Sequence, residues 1–205
     1  MEPLSPTPLP PGRLYRFAWG LYLGFATAGV LWIGFQRGVI PLSLFLDPRE
    51  WWLDLGLGLG AGLLLLGSWW VAERTFPLAR DLGEKLASAL GPVTASEAIG
   101  LAVLSGFAEE LFFRGALQGA AGWTSATVLF ALLHGGPGKA FRLWTLFALI
   151  AGALLGGLMA WRGNLLGPMV GHILVNAVNL RRLTSRGEDS ARLPPGDGRR
   201  EEKEI

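Results

Sequence analysis

Acid–base and hydrogen-bonding side chains stand within otherwise apolar stretches in the second half of this sequence. The set comprises Glu109, Glu110, Arg114, His134, His172 and Asn176. An ionisable group near the centre of a membrane helix costs at least about 2.5–3.5 kcal/mol, so such groups are functional by default. Their concentration in apolar surroundings indicates a site that carries out chemistry.

The residue types suit hydrolysis of an amide bond by an activated water. A glutamate can take a proton from water and later give it to a leaving amine, and a histidine can share that task. Histidine and asparagine can donate hydrogen bonds to a developing oxyanion, while arginine can hold a carboxylate in place. The chain has no cysteine, which excludes a cysteine nucleophile and thiolate metal sites. Ser105 has no GxSG-like surroundings, so we interpret it as a packing residue.

Each of these residues also has a purely structural interpretation. Glu110 and Arg114 are four residues apart and could form an ion pair that only lets their helix enter the membrane. A histidine or an asparagine in a membrane helix could serve only as a hydrogen-bonding group between helices. The combination favours function, because three separate helices carry the set.

The elements that must position these residues are membrane helices. Hydrophobic residues make up 51% of the 205-residue chain and charged residues 17%, against roughly 25% charged in soluble domains. A spanning helix needs about 20 mostly apolar residues. Six stretches follow or approach this pattern, which predicts an all-α polytopic bundle of about six transmembrane helices: residues 17–35, 55–72, 96–118, 123–134, 141–161 and 164–180.

The helical rise of about 1.5 Å per residue places the polar residues near the membrane midplane. Glu109 would lie about 13 Å from the outer end of its helix, and His134 about 16 Å from the outer end of the next. His172 and Asn176 would lie about 12 and 18 Å from the outer end of the last helix. Three helices thus bring polar side chains to one layer of the bilayer.

Composition divides the chain into three parts. Residues 1–16 are rich in proline and are predicted to be disordered, and residues 17–183 form the membrane domain, with the core motifs at 95–180. Residues 184–205 are polar and densely charged, which predicts a disordered cytoplasmic tail. Residues 73–92 predict an amphipathic connecting helix at the membrane surface.

The distribution of Lys and Arg predicts that both termini are cytoplasmic. Fourteen of the 18 basic residues fall in segments on the side of the termini and three on the opposite side, and basic residues favour the cytoplasmic side. A cleavable signal peptide is the alternative for the first helix, because Ala26-Thr27-Ala28 is A-x-A-like. The apolar run continues to Phe35, which favours a membrane anchor.

Three short motifs follow one another on successive predicted helices. Glu109-Glu110-Leu111-Phe112-Phe113-Arg114 matches EExxxR, Phe130 and His134 match FxxxH, and His172 and Asn176 match HxxxN. In this order the chain resembles the CAAX protease and bacteriocin-processing family, also called CPBP or Abi, which includes the type II CAAX-prenyl endopeptidases. The resemblance covers about residues 95–180 and implies an all-helical intramembrane protease.

The resemblance also implies roles for the six residues. Glu109 and Glu110 would be the catalytic carboxylates, organised by Arg114, and His134 would help to activate water. His172 and Asn176 would bind the oxyanion. The family has been described both as metalloproteases and as glutamate-dependent proteases. We expect that no cofactor is required, while zinc or another divalent metal held by glutamate, His134 and His172 is the alternative.

The expected function is therefore an intramembrane endopeptidase that acts on a membrane-associated protein or peptide, in the cytoplasmic membrane of a prokaryote. The main alternative is a non-catalytic immunity or partner-binding protein on the same scaffold. A proton-coupled carrier and a haem protein with His134 and His172 as axial ligands are further alternatives. No stripe of Lys and Arg indicates a nucleic-acid surface, and nothing in the sequence indicates an oligomer.

Overall fold

The computed structural model describes residues 13–90 and 93–192, and every regular element within these ranges is helical. A 3₁₀ turn, Leu42–Leu44, lies between the first two α-helices, and a π-helical segment, Leu111–Leu117, joins the fourth to the fifth. In chain order the α-helices are α1 (Arg13–Arg37), α2 (Trp51–Thr75), α3 (Pro77–Leu90), α4 (Ala95–Glu110), α5 (Gln118–Leu133), α6 (Lys139–Arg162) and α7 (Leu166–Arg192).

The predicted fold class, an all-α polytopic membrane protein, is confirmed. All regular elements in the described ranges are helices, and several of them are long and apolar enough to span a membrane. The third long helical segment contains two of the predicted helices, which are separated at Gly122. This glycine has a φ of +83° and interrupts the helical geometry, a conformation that residues with a Cβ rarely adopt. Four helical segments in the described ranges are long and apolar enough to cross a membrane: Tyr15–Arg37, Trp51–Thr75, Ala95–Leu133 and Lys139–Arg162.

The ends of the helical region differ from the predicted boundaries. Helix α1 begins at Arg13, inside the segment predicted to be disordered, and α7 continues to Arg192, beyond the predicted start of the tail. The remainder of those two predicted segments, residues 1–12 and 193–205, lies outside the described residues. The apolar stretch 164–180 is thus only the first part of a longer helix whose later turns are polar.

The amphipathic surface helix is present as α3. It starts at Pro77, a residue suited to the first helical position because its ring fixes φ and its missing N–H has no helical partner there. Ala79 and Leu82 are fully buried, whereas Glu84 and Lys85 are exposed. One face of α3 therefore covers the bundle and the other faces outward.

Glycines let α2 and α7 approach each other closely. A Cβ added at Gly62 would lie 3.0 Å from the carbonyl oxygen of Gly171, and one added at Gly171 would lie 2.9 Å from the carbonyl oxygen of Gly58. Small residues at helix contacts are the usual route to close packing in membranes, where the hydrophobic effect does not drive helices together. Gly56 and Gly60 of α2 instead meet nothing within 4 Å.

A second close contact joins α4 to α7. A Cβ added at Gly106 would lie 2.6 Å from Cγ1 of Ile173 and 3.0 Å from its backbone nitrogen. Gly106 precedes the two glutamates of α4 by one turn, and Ile173 follows His172 directly. The spacing between these two helices therefore sets the distance between the glutamates and His172.

A buried polar cluster, which the sequence analysis did not single out, ties the start of α2 to the turn between α6 and α7. Asp54 is fully buried and accepts hydrogen bonds from Nε of Arg162 at 2.5 Å and from Nδ2 of Asn164 at 2.8 Å. Arg162 also pairs with Glu50 at 2.7 Å. The helices are thus fixed at the end of the bundle opposite α3 by charge-assisted hydrogen bonds.

Candidate active site

A cavity of about 310 Å³ lies among the helices and has chemically different ends. Most of its wall is apolar, formed by side chains such as Leu65, Trp69 and Phe147. At its inner end lie four of the predicted site residues, Glu109, His134, His172 and Asn176. Its other end is lined by Gly83 and Leu86 of α3 and by residues near the ends of α2 and α7, among them Glu73, Asn179 and Arg182.

Glu109 lies at the inner end of the cavity, in the last turn of α4. Its side chain is 9% exposed, and its Oε2 atom lies 3.8 Å from Nε2 of His134 and 3.8 Å from Nε2 of His172. Among the described residues, this oxygen has no hydrogen-bond partner. A buried polar atom without a partner is costly and is a frequent sign of a functional group.

His134 is held from three directions. It caps the C-terminus of α5 rather than lying within the helix, and its Nδ1 atom is 2.8 Å from the carbonyl oxygen of Phe130. The ring stacks on Trp144, with centroids 6.3 Å apart, and packs against the Phe130 ring at 4.4 Å. Because a carbonyl oxygen only accepts, Nδ1 carries a hydrogen, and Nε2 is directed towards Glu109.

Glu110 faces away from the cavity and holds two cationic or polar partners. It is fully buried, its Oε1 is 2.8 Å from Nδ1 of His172, and its Oε2 is 3.3 Å from Nε of Arg114. A carboxylate beside a guanidinium is ionised and only accepts, so Nδ1 of His172 donates this hydrogen bond. Nε2 of His172 is thereby directed at Glu109 in the cavity.

Arg114 is buried in the π-helical segment that follows Glu110 directly. Its side chain is 1% exposed, and its guanidinium lies 4.6 Å from the centre of the Phe130 ring. Cation–π contacts of this kind stabilise a desolvated guanidinium. Single stretches of π-helix occur often at functional sites, and this one brings Arg114 against both Glu110 and the residue that packs on His134.

Asn176 lies one turn beyond His172 and contacts α4. Its Nδ2 atom donates a 2.8 Å hydrogen bond to Oγ of Ser105, and both residues line the cavity. Ser105 is 3% exposed, and its hydroxyl lies 3.3 Å from the carbonyl oxygen of Ala102. The interpretation of Ser105 as a packing residue therefore omits a hydrogen bond to a candidate site residue.

Tyr22 of α1 is a further site neighbour that the sequence analysis missed. It lines the cavity, and its side chain interacts with the Glu109 carboxylate. Tyr22 belongs to no motif and is more than 80 residues from Glu109 in the sequence. The one available signal was the polar hydroxyl within an apolar predicted span, because tyrosine in membrane helices usually lies at the interface.

The structure thus places all six predicted residues in two connected layers. Four line the cavity, namely Glu109, His134, His172 and Asn176. Glu110 and Arg114 lie behind them and contact His172 and Phe130. In the described part of the chain, no group of three or more His, Asp or Glu side chains is arranged to hold a metal ion.

Comparison with known proteins agrees with the motif resemblance. The family model described as type II CAAX prenyl endopeptidase Rce1-like matches residues 92–178, which contain all six residues. The uncharacterized protein YpbD of Bacillus subtilis (strain 168) is 41% identical over 83 residues, covering 38% of this chain and 41% of that protein. The match therefore spans about two fifths of the length of this relative. No solved structure matches the chain significantly.

Proposed function

We propose that this chain is an intramembrane endopeptidase that hydrolyses a peptide bond in a membrane-associated protein or peptide, through a water activated by Glu109. One observation carries the proposal: a buried carboxylate oxygen without a hydrogen-bond partner among the described residues lies 3.8 Å from two imidazole nitrogens at the end of a cavity. The family match to residues 92–178 supports the same reaction class.

The water would be activated between two hydrogen-bond acceptors, Oε2 of Glu109 and Nε2 of His134. In the proposed step Glu109 would accept at Oε2 as a carboxylate, and His134 would accept at Nε2 as the tautomer whose Nδ1 hydrogen is bonded to the Phe130 carbonyl. A separation of 3.8 Å is too long for a direct hydrogen bond, and we propose that a water at the cavity end contacts both groups. The water oxygen attacks the carbonyl carbon, the C–N bond breaks, and the proton taken by Glu109 passes to the leaving amine.

The oxyanion would be stabilised from α7. Nδ1 of His172 donates to Glu110, so Nε2 offers a hydrogen to the cavity only in the imidazolium form. The carboxylates of Glu109 and Glu110 lie 3.8 and 2.8 Å from that ring and would face the imidazolium. Asn176 supplies a neutral N–H donor from the next turn of α7. Preorganised donors of this kind are worth about 10²–10³ in rate each.

Glu110 and Arg114 would act through other residues. Neither lines the cavity, and both are almost fully buried. We assign Glu110 the task of orienting and charging His172, and Arg114 that of keeping Glu110 ionised. This refines the role that the resemblance implies for Glu110, because the carboxylate that faces the cavity is Glu109.

The cavity fits an apolar stretch of peptide. Its lining is mostly apolar, and such lining selects apolar side chains while a few polar groups fix their orientation. The end away from Glu109 lies at α3 and the last turns of α2 and α7, on the side that the Lys and Arg distribution predicts to be cytoplasmic. Substrate would therefore enter from the cytoplasmic side of the membrane.

Introduced cysteines test this orientation. The chain has no native cysteine, so single replacements at Glu84 in α3 and at exposed Val39 after α1 report on opposite ends of the bundle. A membrane-impermeant maleimide applied to intact cells should label Val39→Cys only. Labelling of Glu84→Cys instead would reverse the proposed topology and place both termini outside.

The protease proposal is tested by comparing membrane proteins from cells that carry the parent, Glu109→Gln or Glu84→Gln. New protein termini should appear with the parent and with the exposed control Glu84→Gln, and should be lost with Glu109→Gln at equal protein level. His134→Ala should reduce the same cleavages by about 10²–10⁴. Unchanged termini in Glu109→Gln would refute the proposal and favour a non-catalytic partner-binding protein.

We also propose that no metal is required. Tetrahedral zinc ligands lie about 3.3 Å apart, from metal–ligand distances of about 2.0–2.1 Å, which is shorter than the 3.8 Å between Glu109 and each histidine. Cleavage by purified protein should survive a chelator such as EDTA. Loss of cleavage that added zinc restores would establish the metal-dependent alternative.

A further inference from the structure

The hydroxyl of Ser105 donates one hydrogen bond and accepts another. It lies 3.3 Å from the carbonyl oxygen of Ala102, which can only accept, so the hydroxyl proton is directed there. Its lone pairs remain for Asn176, whose Nδ2 lies 2.8 Å away. Ser105 is 3% exposed, so bulk water does not compete for these bonds.

The carboxamide of asparagine is nearly symmetric in shape but not in chemistry. One end donates two hydrogens and the other only accepts, and the two ends can exchange by rotation about the last side-chain bond. A neighbour that only accepts selects the nitrogen end. Because Ser105 donates to Ala102, it is such a neighbour for Asn176.

We propose that Ser105 is a positioning residue that fixes the carboxamide of Asn176 with its nitrogen towards α4, so that the second N–H remains as a donor for the cavity. The inference rests on the proposed function, because it gives the reaction a use for that donor. With the carboxamide reversed, the oxygen of Asn176 would occupy this place and repel a developing oxyanion.

Substitution of Ser105 should therefore affect turnover more than binding. Ser105→Ala leaves Asn176 in place but free to rotate, which corresponds to the loss of about one hydrogen bond and lowers kcat roughly two- to tenfold. KM should change little, because the oxyanion donor acts in the transition state. Ser105→Cys keeps a side chain of similar size and should lie between Ser105→Ala and the parent.

Ser68 of α2 provides a matched control. Its hydroxyl likewise donates to the carbonyl three residues earlier, to Leu65 at 2.8 Å, but it does not line the cavity. Ser68→Ala should leave cleavage unchanged. Equal cleavage by Ser105→Ala and Ser68→Ala would overturn the proposal.

The decisive measurement is a double-mutant cycle with Asn176→Ala. If Ser105 acts through Asn176, Ser105→Ala should cause no further loss of kcat in the Asn176→Ala background. A general structural defect would lower kcat by the same factor in both backgrounds, and that result would overturn the proposal. Thermal unfolding of each variant in detergent shows whether Ser105→Ala folds, and Ser105→Cys carries the same cycle if it does not.

Failure of this inference is distinguishable from failure of the proposed function. Cleavage that is lost in Glu109→Gln but unchanged in Ser105→Ala would reject only the role of Ser105. Cleavage that persists in Glu109→Gln would reject the protease proposal itself, and with it any use of Asn176 as an oxyanion donor.

Discussion

Removal of Arg114 alone, and of Arg114 together with Glu110, should separate stability from activity. The two side chains are 1% and 0% exposed and form an ion pair with Nε and Oε2 3.3 Å apart. Arg114→Met leaves the buried Glu110 carboxylate without the guanidinium and with the His172 ring as its remaining partner. Glu110→Leu combined with Arg114→Met removes both charges and fills the space with apolar atoms.

The expected magnitudes follow from the burial of the pair. Breaking a fully buried ion pair by removing one partner costs about 3–5 kcal/mol, whereas replacing both by apolar residues is often neutral or stabilising. For a chain of this length, Arg114→Met should lower the melting temperature by roughly 6–20 °C. The double variant should unfold within a few degrees of the parent, with a small loss because the guanidinium no longer contacts the Phe130 ring.

The double variant should be nearly as stable as the parent but should cleave substrate much more slowly. His172 loses the carboxylate that accepts its Nδ1 hydrogen, so neither the orientation of the ring nor the hydrogen at Nε2 is fixed any longer. We expect cleavage to stay at least about 10²-fold below the parent. The two measurements are thermal unfolding in detergent and cleavage of a substrate found by the comparison of protein termini.

Two results would contradict this reasoning. Parent-like stability of Arg114→Met would show that the pair is not the buried, mutually dependent unit that the geometry describes. Parent-like cleavage by the stable double variant would show that Glu110 does not organise His172. Glu110→Gln with Arg114→Met is the matched intermediate, because the Gln oxygen can still accept from His172 and part of the activity should remain.

The remaining predictions concern the approach of α4 to α7 and the contact made by α1. Gly106→Ala places a Cβ against α7, so it should lower stability by about 1–3 kcal/mol and cleavage by roughly tenfold through displacement of His172. Gly67→Ala, where an added Cβ meets nothing within 4 Å, should leave cleavage unchanged, and an equal loss in both would refute the packing explanation. Tyr22→Phe removes a hydroxyl that interacts with Glu109, so cleavage should fall by roughly two- to tenfold through the loss of about one hydrogen bond. Tyr15→Phe is its control, and equal cleavage by both variants would show that the contact does not influence the reaction.

The elements of the fold were predictable because membrane helices have a local signal. A run of about 20 apolar residues must form a helix in lipid, since each backbone polar group has to be satisfied within its own segment. The break at Gly122 and the surface helix α3 follow equally local rules of glycine, proline and amphipathic spacing. Helix α1 begins before its apolar run and α7 continues beyond its own, because polar turns can extend a helix once its apolar part is anchored.

The candidate site was predictable only as a set of residues. Charged and polar groups in apolar helices are costly, so Glu109, His134, His172 and Asn176 were visible from their types and spacing. Their motif order gave the family resemblance that the match to residues 92–178 supports. The sequence did not show which of the two adjacent glutamates faces the cavity, although a 100° step between neighbours required that they differ.

By itself the sequence determined that this protein is a helical membrane protein with acid–base groups on three of its helices. Tertiary structure decided that Glu109 faces the cavity while Glu110 holds His172, that Ser105 bonds Asn176, and that Tyr22 reaches the carboxylate. The physical reason is that residue spacing fixes which side chains share a face of one helix, but not which faces meet. That depends on where backbones can approach closely, as they do where Gly106 lies against α7.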